Sequence, residues 1–309
     1  MDSTENAMKR SILWGTVAIV TSSLALAAMG VAGRGLRDHA SVEIIIFFQG
    51  LVGGVIAGTA LFIRPQLRSV VTQDFGLNLL RTLAGLGAYI VFFWSLKHIT
   101  AAEAIILLNT APFFLLIHKR FWKKERTTMA AWGMVTVGFL GLSVLVFHNQ
   151  GSFGTFNPFL LIATSAGILV ALTGIAMHAL AGRGTVTYST AFYGVVVAVG
   201  TLPLVVGEWI NLTSVTFWLL LGAGVGFTIR AYTLQLSNYL LQPYIVAVLA
   251  YTSVIFSAFG DWLFFNHLPT LLQFVGMVVI AISGGTIVWI ESRSTSAIPP
   301  TKEVKDSKS

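Results

Sequence analysis

Arg81, Glu103, Arg230 and Asp261 are charged residues that fall inside, or at the edges of, long apolar stretches. A charge near the centre of hydrocarbon costs about 2.5 to 3.5 kcal/mol on an insertion scale, so depth decides what each can do. Counting turns places Arg81 and Arg230 about one and a half turns inside the inner ends of their stretches. There they either snorkel to the interface or, on related helices, form a positive inner vestibule that draws an anionic substrate group. Glu103 and Asp261 sit within about a turn of the outer ends, in the company of Glu43, His39, His98 and His267. As a solvated rim these carboxylates need no partner; as partly buried acids, whose pKa rises on desolvation, they are the candidates for proton uptake.

Nearer the midplane the chemistry is polar and aromatic. Ser22, Tyr89, Trp94, Asn109, Thr110, Pro112, Arg230, Tyr232 and Tyr251 form the candidate substrate-binding set. Pro112 removes one backbone donor and is expected to free the carbonyl of Leu108, and irregular backbone at membrane depth persists only where it is buried or lines a cavity. Asn109 either satisfies that backbone or contacts substrate. His118 and His178 read as interfacial. The chain carries no His-Glu-x-x-His pair, no phosphate-cradling glycine loop and no nucleophile elbow, and it has no cysteine. Hydrolysis at a metal and ATP-driven pumping therefore lack their parts, and the expectation is a non-enzyme with no cofactor and no metal.

The elements that position these groups follow from composition. Of 309 residues, 55% are hydrophobic and 10% charged, with a mean hydropathy of +0.81. A water-soluble enzyme is excluded, because soluble chains carry about 25% charged residues. Ten apolar runs, four of them with a single charge inside, are each long enough to cross a bilayer, which takes about 20 residues. They cover 11–33, 44–63, 75–96, 100–117, 127–147, 158–180, 186–206, 215–236, 243–265 and 270–290. All must be helices, since hydrocarbon offers no partner for an unpaired backbone group. The continuous run at Ala25-Leu26-Ala27 is too long for a cleaved signal segment, so the first span is expected to stay.

With the N-terminus inside, 14 lysines and arginines fall in inner segments and only Arg34, Arg37 and Lys97 in outer ones. That bias predicts both termini in the cytosol of a cell whose inner membrane holds the chain. It also accounts for the net charge of +7 without nucleic acid. Gly50, Gly54 and Gly58, and Gly222 with Gly226, are spaced for close helix contact.

A shift of 143 residues aligns Thr21-Ser22 with Thr164-Ser165, Ala88-Tyr89 with Ala231-Tyr232 and Gly133-Met134-Val135 with Gly276-Met277-Val278. Spans one to five thus fall on spans six to ten, and an odd number of spans inverts the second half. The expected organisation is a cytosolic N-terminus (1–10), a first five-helix repeat (11–147), a connecting loop (148–157), a second repeat (158–291) and a disordered cytosolic tail (292–309). Inverted repeats serve carriers, because two interchangeable halves can open one midplane site to either side in turn.

Leu13-Trp14-Gly15, the small-residue stretch from Ala101 to Ala111-Pro112, Tyr251-Thr252-Ser253 and Gly260-Asp261-Trp262, in that order, resemble the drug/metabolite transporter superfamily, specifically its ten-helix EamA-type members. The likeness extends from about residue 12 to 290. Lys124-Glu125 and Asn266-His267 stand where that family usually has Gly-Glu, and Gln49 stands where it often has arginine. The resemblance implies an all-α membrane protein of two inverted five-helix repeats. It also implies a secondary carrier for a small organic metabolite such as an amino acid, nucleoside-like compound or vitamin. The partners expected are that solute, the bilayer and a second copy in a homodimer. The alternatives are an intramembrane lipid-modifying enzyme, which would need acids and histidines clustered at one depth, and a channel, which would need a ring of like groups.

Overall fold

A computed structural model describes residues 2–36, 39–63, 74–95, 98, 101–147, 159–181, 186–206, 213–266 and 268–295. Among them every regular element is helical. The helices are α1 (Asp2–Leu36), α2 (Val42–Ile63), α3 (Phe75–Ser95), α4 (Ala101–Leu108), α5 (Ala111–Ile117) and α6 (Met129–Phe147). They continue as α7 (Phe159–Ala179), α8 (Val186–Val205), α9 (Ser214–Leu240), α10 (Pro243–Leu249), α11 (Thr252–Phe265) and α12 (Leu271–Thr295). Nine described segments are long and apolar enough to cross a membrane, and α6 supplies a shorter apolar helix.

Two spans expected to be continuous are broken. The fourth is interrupted at Asn109-Thr110 between α4 and α5, and it ends in a π-helical turn, His118–Trp122. Pro112 lies in the first turn of α5, where its missing N–H has no partner to lose. The ninth is interrupted at Ala250-Tyr251, between α10 and α11, with no proline or glycine at the break. Ser253 Oγ donates to the Ala250 carbonyl at 2.7 Å and Thr252 Oγ1 to the Leu249 carbonyl at 2.6 Å. Hydroxyls that turn back on their own backbone are known to bend helices, and two in succession do so here.

The eighth span is longer than expected. Ser237-Asn238 looked like a break, yet Ser237 Oγ and Asn238 Nδ2 both donate to the Leu234 carbonyl, at 2.8 and 2.9 Å, and α9 runs to Leu240. The added turn moves Arg230 to ten residues, about 15 Å, from the inner end. It is a deep residue, not a near-interfacial one.

Helix starts are specified locally. Thr213 caps α9 by accepting from the Thr216 amide at 3.3 Å, and Thr128 accepts from the Ala131 amide at 3.2 Å. Thr270 and Gln273 exchange two bonds, at 2.9 and 3.3 Å, in a capping box before α12. Lys124 (φ 55°) and Asn266 (φ 54°) are the non-glycine residues with left-handed backbone. They stand at the two positions where the sequence departs from Gly-Glu, so the turn is kept while the residue that adopts it without strain is gone.

The extensive helix pairings join residues before 148 to residues after 158: α2 with α8, α1 with α9, α3 with α7 and α6 with α12. Glycine makes the closest of them. A Cβ on Gly50 would lie 2.7 Å from the Ala198 nitrogen, and one on Gly194 would lie 2.5 Å from the Gly54 nitrogen, so α2 and α8 touch backbone to backbone. The expected glycine stripes are only partly used: Gly58 and Gly222 have nothing within 4 Å of such a Cβ, while Gly226 abuts Met29.

Candidate functional site

Two polar regions lie inside this bundle. The first is where the two helix breaks meet. Tyr251, 1% exposed, donates its hydroxyl to the Asn109 carbonyl at 2.7 Å. Asn109 Nδ2 donates to the Ile105 carbonyl at 2.8 Å, and Thr110 Oγ1 to the Leu107 carbonyl at 2.6 Å. Gly167 of α7 admits this irregular backbone, since a Cβ there would collide with Thr110 Oγ1 and come within 2.6 Å of the Leu107 oxygen. Asn109, Thr110, Pro112 and Tyr251, expected separately from the sequence, thus form one crossing.

The second region contains Arg81, one of the two arginines of the expected positive vestibule, but not the side-chain set the sequence suggested around it. It lies where the N-terminal ends of α3 and α8 meet the C-terminal end of α9 and is built from Asp74, Asn78 and Arg81, Ser189 and Tyr193, and Gln235, Asn238 and Tyr239. Arg81 is six residues, about 9 Å, from the start of α3, yet it is 1% exposed. The snorkelling expected of it does not occur, because the inner ends of the neighbouring helices close over it. Its Nη1 donates to the Ser189 carbonyl at 2.6 Å, and its Cζ lies 4.9 Å from the centre of the Tyr193 ring. Tyr193 in turn stacks on Phe227, with centroids 5.4 Å apart.

Much of this region is unsatisfied. Arg81 Nε and Nη2, Asp74 Oδ2, Asn78 Oδ1, Ser189 Oγ, Gln235 Oε1 and Asn238 Oδ1 are buried and have no hydrogen-bond partner. A buried polar atom without a partner costs about 1 to 3 kcal/mol, more when charged. So dense a group of them marks a place that serves something other than stability. Gln235 is held by donating to the Met177 carbonyl at 3.1 Å, and the Asn238 carbonyl lies 2.7 Å from His178 Nδ1. The sequence did contain a signal. Asp74, Asn78, Arg81 and Gly85 fall at i, i+4, i+7 and i+11, one face of α3.

The remaining expected residues are scattered around these two regions. Ser22 Oγ donates to the Arg230 carbonyl at 3.2 Å and so ties α1 to the backbone of α9, not to the guanidinium. Arg230 and Tyr89 lie within electrostatic reach of Tyr193. Tyr232 is 41% exposed. Trp94 lies not at the midplane but beside the last residue of α3, with its ring 4.7 Å from His98 and 5.7 Å from Phe159. Glu103 is in the first turn of α4 and Asp261 in α11, but their side chains lie outside the described residues, as does His267.

A cavity of about 70 Å³ opens at the inner end between α5, α7 and α10, lined by His118, Lys119, Lys123, His178, Gln242 and Tyr244 among others. Lys119 Nζ lies 4.9 Å from the Tyr244 ring centre and 3.9 Å from Glu125 Oε2. No group of three or more metal-ligating side chains occurs among the described residues.

Residues 13–147 match the EamA-like transporter family. The chain is 24% identical over 277 residues to a pseudopaline exporter of Pseudomonas aeruginosa, covering 87% of this chain and 94% of that one. It is 22% identical over 286 residues to an S-adenosylmethionine uptake transporter of Rickettsia prowazekii, covering 93% and 95%. Over 156 residues, 49% of this chain and 55% of the other, it is 28% identical to a riboflavin transporter of Brucella anthropi. A solved crystal structure overlays with a TM-score of 0.76 at 19% identity, covering 93% of this chain and 99% of that chain, and so shares the fold.

Proposed function

We propose that this multi-pass membrane chain is an EamA-type member of the drug/metabolite transporter superfamily and a secondary carrier working by alternating access between two inverted five-helix halves. The observation that carries this reading is the crossing of the two broken spans. Spans four and nine are related by the internal repeat, both are interrupted near mid-length, and their breaks are joined through Tyr251 and Asn109. Discontinuous helices at the interface of inverted repeats are where carriers place their substrates, since unwound backbone offers polar groups that a continuous helix hides.

The helix pairings support the same reading. Exchanging the halves maps α1 against α9 onto α7 against α3, and α1 against α11 onto α7 against α5; all four contacts are made. Two arrangements of similar energy follow from such symmetry, one open to each side. Relatives named for export and for uptake, with solutes as different as S-adenosylmethionine and riboflavin, support a carrier of organic metabolites. Glu103 and Asp261 remain our candidates for proton coupling.

Reconstitution tests the proposal. Liposomes carrying the protein and preloaded with unlabelled S-adenosylmethionine, riboflavin or amino acids should show saturable uptake of the same labelled solute, faster than from empty vesicles. Flux that rises linearly and ignores the preload would reject a carrier. Because the chain has no cysteine, single cysteines at Gln150 and Asn266 report topology cleanly. Both should label from the outside, and labelling from opposite sides would remove the inverted arrangement.

A further inference from the structure

The orphaned atoms of Arg81 form a pattern. A guanidinium offers two bidentate edges to an oxyanion: the end-on pair, Nη1 and Nη2, and the side-on pair, Nε and Nη2. In this protein Nη1 is committed to the Ser189 carbonyl and Cζ lies over the Tyr193 ring, 4.9 Å from its centre, which together hold the group in place. The two nitrogens left without partners, Nε and Nη2, are the side-on pair. Among the described residues no carboxylate forms an ion pair with Arg81. Asp74, the acid of this cluster, is seven residues earlier on α3, about 10 Å along the axis, and its own Oδ2 is unpartnered.

A buried cation held rigid, with one planar two-donor edge open and no counter-ion, is a receptor for a planar anion. Resting on the carrier reading, we propose that Arg81 is a substrate-binding residue of this protein, apart from the helix crossing, and that the transported solute bears a carboxylate, gripped side-on by Nε and Nη2 when the ends of α3, α8 and α9 around it part. The unpartnered acceptors nearby, Asn78 Oδ1 and Gln235 Oε1, suit a second, donor-bearing group on the same solute. Tyr193 and Phe227 supply an apolar wall for its body. Lysine cannot substitute, because an ammonium presents a point charge and no fork.

The probe is benzoate, the bare carboxylate on a ring, against its neutral isostere benzamide. Full-length protein in lipid nanodiscs is labelled at arginine Nε with nitrogen-15, and the Arg81 resonance is assigned by its loss in Arg81→Lys. Benzoate up to about 10 mM, a range suited to a fragment of this size, should shift the Arg81 signal saturably, and benzamide should not. Benzoate should also raise the thermal midpoint of the wild type, with binding at least about tenfold weaker in Arg81→Lys. Should Arg81→Lys fold poorly, the benzoate and benzamide titrations of the wild type still decide. No shift with benzoate, an equal shift with benzamide, or undiminished stabilisation of Arg81→Lys overturns the proposal. So does an Arg81 signal that moves in Asp74→Asn but not with benzoate, since the counter-ion is then internal. Benzoate binding without counterflow sinks the carrier reading alone; counterflow by a protein indifferent to benzoate sinks this assignment alone.

Discussion

The helix crossing at Asn109 and Tyr251 and the inner cluster at Arg81 are both polar, both buried and both made from residues far apart in the chain, yet their hydrogen bonding differs. At the crossing each broken backbone is met by a hydroxyl or amide, and none of its buried side-chain atoms is left without a partner. At Arg81, seven of the nine orphaned side-chain atoms of the described residues gather in one place. A closed network holds a shape. An open one stores unmet bonding capacity that a solute or water can fill, and on the carrier reading proposed above one stays while the other changes partners.

That contrast predicts opposite responses to substitution. The largest effect belongs to Tyr251→Ala, which removes a fully buried ring together with its bond to Asn109. It should cost about 3 to 5 kcal/mol, read as loss of folded protein in thermal or denaturant unfolding in detergent. Gly138→Val comes next, because a Cβ there already lies 2.8 Å from Ser283 Oγ and 3.4 Å from Tyr251. Overpacking of about 1 to 3 kcal/mol is expected. Tyr251→Phe keeps the ring and strands the Asn109 carbonyl, for about 1 to 2 kcal/mol. Arg81→Met should run the other way, with an unfolding midpoint equal to or above the wild type, since an unpaired buried charge is replaced by an apolar chain of similar length. Solute counterflow should fall at least about tenfold in the same variant. If Arg81→Met instead destabilises as much as Tyr251→Ala, the two regions are alike and the division between closed and open networks fails. Gly58→Ala is expected to change the midpoint least, within about 0.5 kcal/mol, because nothing packs against that position.

Much of the fold could be read in advance, and particular residues show why. Runs of some twenty apolar residues admit no structure but a helix in lipid, so the spans follow from composition. Pro112 marked disturbed backbone in span four because a missing donor is a local fact, but not the break itself, which falls before it at Asn109-Thr110. The break at Ala250-Tyr251 carries no such residue, and Ser237-Asn238 misled in the opposite sense: small polar residues near a helix end both terminate helices and satisfy themselves within one. Trp94 was placed too deep because the helix containing it ends one residue later.

Composition and hydrophobic run lengths by themselves determined that this chain lives in a bilayer as apolar helices, and the spacing of similar residues pointed to a repeat. Which helix faces met, and therefore which polar side chains became a site, only the tertiary structure decided. Tyr251 and Asn109 are 142 residues apart, and Arg81 meets Ser189 across 108. The physical reason is that lipid and protein interior are equally apolar, so the alternation that marks a buried face in water is absent here. Phe62 and Trp218 are exposed at 75% and 65%, while Leu116 and Ile245 are fully buried, and nothing in their chemistry tells the two pairs apart.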